Sequence, residues 1–65
     1  MKDKNGKTIE VGMTVDVPTP IDNDIHNFEF EGYVEALEYV HGYVIVMDGD
    51  GECFAIEPEK LEIVG

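Results

Sequence analysis

A chain of 65 residues with 43% hydrophobic content has material for one compact core and no second domain. Fifteen Asp and Glu against four Lys and no Arg give a formal net charge of −11, which disfavours direct binding to phosphate backbones or to anionic membrane surfaces, both of which need Lys and Arg contacts. The chain also lacks Ser, Gln and Trp, and its single Cys53 excludes an intramolecular disulfide and any Cys-pair zinc motif.

Three of the four lysines, Lys2, Lys4 and Lys7, sit in the first seven residues, leaving Lys60 as the one lysine of the remainder. Residues 1–6 read as a flexible lead with a turn at Asn5-Gly6. No charged-then-apolar signal segment opens the chain, and its longest apolar run, residues 43–47, is too short to cross a bilayer. With no disulfide to form, the expected location is the cytoplasm.

Residues 7–17 alternate with period 2. Ile9 and Val11 share one face, and Met13, Val15 and Val17 continue it against Thr14 and Asp16, with Gly12 marking a bend or bulge. Residues 18–27 hold Pro18, Pro20 and a run of Asp and Asn, which predicts one long loop. Alternation resumes over residues 28–36: Phe28, Phe30, Val34 and Ala36 point one way, Glu29, Glu31, Tyr33 and Glu35 the other. Gly32 sits where a curved strand bends, and the frame breaks near Leu37, which predicts a bulge or strand end there.

His41-Gly42 reads as a turn, and residues 43–48 form a β-branched run suited to an internal strand. Gly49-Asp50-Gly51 is a hairpin signal leading to a return strand over residues 52–57. Pro58-Glu59-Lys60 suits a short 3₁₀ turn before a last strand over residues 61–64. No segment carries a sustained helical period. The expected fold is therefore all-β: a single domain over residues 1–65 forming a small barrel of five to six strands, since closure removes exposed strand edges.

The segments Ile-Glu-Val-Gly-Met-Thr-Val-Asp-Val (9–17), Phe-Glu-Gly-Tyr-Val-Glu (30–35) and Ile-Glu-Pro-Glu-Lys-Leu-Glu-Ile-Val (56–64) resemble the opening, middle and end of SH3-like barrels of the KOW and Tudor type, including short bacterial proteins of this fold. The resemblance spans residues 8–64 and implies strand geometry rather than chemistry. It does not carry the family's usual ligands with it. The basic residues with which KOW domains bind RNA are missing, as is the Trp of peptide-binding SH3 grooves, and a Tudor-type cage would need Tyr33, Tyr39 and Tyr43 to converge.

The candidate site is the acidic stripe Glu29, Glu31, Tyr33 and Glu35, whose alternation puts successive members roughly 6.5–7 Å apart on one strand face. Beside it, Ile21, Asp22, Asp24 and Ile25 in the long loop offer apolar anchors and further charge. Together these residues suit a basic protein surface, met either directly or as a mimic of nucleic-acid charge. The bland reading is a solvated outer face kept charged for solubility. The alternative function is a small-ligand or divalent-cation domain using Asp22, Asp24 and His26, or Asp48, Asp50 and Glu52. The latter fragment is too short for an EF-hand loop and lies between strands, so turn chemistry is expected at both and no metal or cofactor is assigned. Catalysis is not expected: Cys53, next to Phe54, reads as a buried thiol, and His26 and His41 fall in loops.

Overall fold

The computed structural model describes residues 1–18 and 29–64. Five strands form one antiparallel sheet: β1 (Thr14–Val17), β2 (Phe30–Glu38), β3 (Tyr43–Met47), β4 (Cys53–Ile56) and β5 (Glu62–Ile63), with a 3₁₀ turn at Pro58–Lys60. The spatial order is β4-β3-β2-β1-β5. The all-β expectation is met. The sheet is open rather than closed, however, with β4 and β5 at its two ends and no ladder joining them among the described residues.

The core is the inner face of this sheet. Val15 and Val17 of β1, Val34 of β2, Val44 and Val46 of β3 and Ile56 of β4 are buried, joined by Ile9 and Leu61 from outside the strands. β-branched residues dominate because a pleated, half-buried surface accommodates their restricted χ1 rotamers. The rings of Phe30 and Phe54 meet edge to face with centroids 5.9 Å apart, although their strands are separated by β3. Strands two apart in a flat sheet lie about 9–10 Å from each other, so the sheet curls around this contact.

Two bulges produce that curvature. At the first, the Gly12 N–H donates to the Val34 carbonyl while the Val34 N–H donates to the Met13 carbonyl, so two residues oppose one. Gly12 takes φ +98°, which only glycine adopts readily. This turn ends the alternation of the sequence: Ile9 is buried, but Val11, expected on the same face, is exposed. The regular strand therefore begins only at Thr14.

The second bulge lies in β2. Val34 faces Val46 and Ala36 faces Ile45, which leaves Glu35 as the inserted residue. The inner face passes from Val34 to Leu37, and Ala36, expected in the core, is exposed. The frame break anticipated near Leu37 is thus real, but it sits at Glu35, and the strand continues through Glu38. Cys53, also expected to be buried, is exposed: it pairs with Met47 on the outer face, while Phe54 and Ile56 alternate inward.

Residues 1–9, whose first six read as a flexible lead, are hydrogen-bonded into the fold as a small hairpin. Lys2 bridges Thr8, the Asp3 N–H donates to the Lys7 carbonyl, and the Ile9 N–H donates to the Met1 carbonyl. The turn reverses through Gly6 at φ +81°. Asp3 is buried because its carboxylate accepts several backbone N–H bonds, the condition under which a charge tolerates burial.

Candidate functional site

The outer face of the β5-β1-β2 region is built from residues that alternate away from the core. In β1, Asp16 lies between the inward Val15 and Val17. Its cross-strand neighbours are Glu31 on β2 and Glu62 on β5, so three carboxylates stand in register across three adjacent strands. Directly opposite residues have Cβ atoms about 4.5–5.5 Å apart, close enough for like charges to repel.

Glu29 joins this row from the residue preceding β2. A side-chain hydrogen bond with Asp16 is the main cause that raises its pKa above the ordinary value, followed by the Asp16 charge, partial desolvation and the charges of Glu62 and Glu31. Glu29 thus holds its proton more tightly than an isolated carboxylate would. Cationic compensation is sparse: the Lys4 Nζ stands 3.8 Å from one Glu62 oxygen, and the Asn5 amide donates to the other at 3.4 Å.

Of the residues singled out from sequence, Glu29 and Glu31 belong to this row. Tyr33 and Glu35 are exposed on β2 beyond it, Glu35 at the bulge. The stripe is therefore only the β2 edge of a wider acidic patch. Ile21, Asp22, Asp24, Ile25 and His26 lie outside the described residues. Sequence reading missed Asp16 and Glu62 as members; alternation marks each as outward-facing, but nothing local says that they meet.

A shallow hollow of about 240 Å³ adjoins the row, walled by Thr14, Glu31, Tyr33, Met47 and Asp48 among others. The three tyrosines do not form a cage. Tyr33 is level with Met47 and Tyr43 with Glu38, four residues away along β3 or about 13 Å. Tyr39 and Val40 project from the β2–β3 turn, fully outside the core.

The Asp48–Glu52 segment is organised as a turn. Asp48 Oδ1 accepts the N–H groups of Asp50 and Glu52, each at 2.9 Å, which is how an Asp side chain nucleates a turn. Among the described residues, no group of three or more His, Cys, Asp or Glu is arranged to hold a metal ion. Nor is any helix among them long and apolar enough to cross a membrane.

These features define an acidic, small all-β domain. Comparison with protein-family models, curated proteins and solved structures finds no match for this chain.

Proposed function

We propose that the chain is a non-catalytic, SH3-like interaction module that binds a basic protein surface across the row Glu62, Asp16 and Glu31, with Glu29 alongside. The observation that carries this reading is the double like-charge pairing of Asp16, with Glu31 on one side and Glu62 on the other. Each such pair is destabilising in the isolated domain. Apposed cations from a partner would turn that repulsion into attraction. Groups held against local stability are the usual mark of a binding surface.

The SH3-like assignment is supported by β1 pairing with both β2 and β5 and by the 3₁₀ turn before the last strand. The hollow beside the row, at about 240 Å³, lies below the roughly 300–1,000 Å³ of ordinary ligand pockets. A reducing, cytoplasmic setting suits the one exposed thiol. A partner that mimicry would target, a nucleic-acid-binding protein, presents the required Lys and Arg.

The test compares salt-gradient elution of partners captured from nuclease-treated lysate of the source cell by the wild type, by D16K/E31K and by E10K/E59K. The two variants change net charge equally, but only the first alters the row. Retention lost in D16K/E31K alone supports the reading. Equal retention by both overturns the proposed face, and equal loss reduces it to nonspecific charge attraction. Divalent-cation binding by Asp22, Asp24 and His26, or by Asp48, Asp50 and Glu52, is the competing reading. Saturable calcium-induced amide shifts confined to one of those segments would replace the protein partner with a metal.

A further inference from the structure

β5 is too short to hold itself in place. It contributes two residues, Glu62 and Ile63, with one further hydrogen bond from the Val64 N–H to the Thr14 carbonyl at 3.1 Å. One of its two pairs, Asp16 with Glu62, sets like charges opposite each other. As the terminal strand of an open sheet it also turns backbone groups away from β1, where nothing in the ladder can satisfy them.

The amino-terminal hairpin supplies those missing partners. The Ile63 N–H donates to Asp3 Oδ2 at 2.9 Å, and the Lys4 N–H donates to the Leu61 carbonyl at 2.9 Å. Lys4 and Asn5 reach the Glu62 carboxylate from the same side. The other oxygen of Asp3 accepts the N–H groups of Asn5 at 2.9 Å and Lys7 at 2.8 Å, so the carboxylate is fixed by its own turn before it reaches across. Leu61 and Ile9, which flank the two pieces, are fully buried and anchor them to the core.

We propose that Asp3 is a latch: its carboxylate holds residues 62–64 on β1, and when that contact is lost the segment lifts away, hinged at Leu61, while β2, β3 and β4 stay folded. The direction of the Asp3 pKa agrees with the geometry. The Ile63 N–H is the main cause that holds it below the ordinary carboxylate range, against the opposing effect of burial and with help from the Lys7 and Asn5 N–H groups and the Lys7 charge. Opening exposes the backbone edge of β1 and carries Glu62 out of the acidic row. That second consequence matters only if the row binds a partner, so it rests on the interaction reading; the latch itself does not.

Amide hydrogen exchange followed by NMR at constant pH separates the possibilities, with Asp3→Asn replacing the carboxylate by a near-isostere that keeps only one acceptor oxygen. The expected result is a loss of protection of about tenfold or more at Ile63 and Val64, the scale of a charge-assisted hydrogen bond, with Val44 and Val46 of β3 unchanged. Unchanged protection at Ile63 and Val64 overturns the proposal, and so does an equal loss at Val44 and Val46, which would make Asp3 an ordinary contributor to global stability. If the variant does not fold, wild-type exchange in sub-denaturing urea decides. Residues 63 and 64 should open with lower free energy and weaker urea dependence than β3, and a shared isotherm overturns the latch. Neither measurement involves a partner, so failure of the latch leaves the interaction reading standing, and the reverse also holds.

Discussion

Asp3 and Asp48 do the same job at two distant points of the chain. Each starts a five-residue turn, Asp3-Lys4-Asn5-Gly6-Lys7 and Asp48-Gly49-Asp50-Gly51-Glu52, and each accepts through Oδ1 the N–H groups two and four residues ahead. In both, the Asp N–H donates to the carbonyl of the fifth residue and the Gly N–H donates back to the Asp carbonyl. Gly6 and Gly51 take φ +81° and +87°, a region where a Cβ is strained. Glu38 plays a related part at the β2–β3 turn, accepting the N–H groups of Val40 and His41. Three hairpins are thus closed by carboxylates that organise backbone, which gives these acidic residues a structural role.

Replacing Asp48 by Ala should show this. The substitution leaves the N–H groups of Asp50 and Glu52 without their carboxylate acceptor, and the expected loss is about 1.5–3 kcal/mol in urea unfolding. A loss no larger than that of an exposed Asp50→Ala control would contradict the role.

Gly32 is required by packing rather than by backbone angle. A Cβ there would collide with the Val46 side chain, which is fully buried, and stand 3.0 Å from the Met47 carbonyl oxygen. Gly32→Ala should therefore cost about 1–3 kcal/mol by overpacking, seen as a lower urea midpoint with unchanged slope. Gly49→Ala, where a Cβ meets nothing within 4 Å, is the matched control.

Stability should respond to pH in two opposing ways. Asp3 is held below its ordinary value of 3.8. Glu38, although burial pushes it upward, is held below 4.5 by the His41 ring and by the His41 and Val40 N–H groups. Their contributions are complete above the ordinary values and are lost as pH falls through the depressed folded-state values. Glu29 works in the opposite sense: its raised pKa means that ionising it destabilises the fold. Glu29→Gln should raise the melting temperature at pH 7 and low salt, with the gain shrinking in high salt and vanishing well below pH 4.5. A gain that persists in acid would mean that repulsion within the row is not its cause.

Cys53 is exposed on the outer face of β4, so one thiol should react with a water-soluble disulfide reagent in the absence of denaturant. Complete modification without a change in the far-UV spectrum is expected. Reaction only after addition of urea would place the thiol in the interior.

Much of the fold was legible because its signals are local. Period-2 alternation marked β1 and β2, although β1 begins seven residues later than the alternation does; a β-branched run marked β3, Asp50-Gly51 marked the β3–β4 hairpin, and Pro58 marked the 3₁₀ turn. The repeated pattern Asp-x-Asn/Asp-Gly at residues 3–6 and 48–51 is also local, and a search for it would have pointed to a hairpin at the start of the chain. Where alternation misled, an inserted residue had shifted the frame: the Gly12 bulge turned Val11 outward and the Glu35 bulge turned Ala36 outward. A bulge leaves little trace in composition, because it changes which face a residue takes and not what the residue is.

By itself, then, the sequence determined that this chain is a small acidic β-domain with Glu29 and Glu31 turned to solvent, since side chains alternate along a strand wherever no bulge intervenes. The tertiary structure decided which carboxylates meet. Asp16, Glu31 and Glu62 come from three strands scattered along the chain, and Asp3 finds Ile63 from the opposite end. Such meetings depend on the register of pairing between distant segments, which is set by the packing of the shared core and not by the residues that end up side by side on its surface.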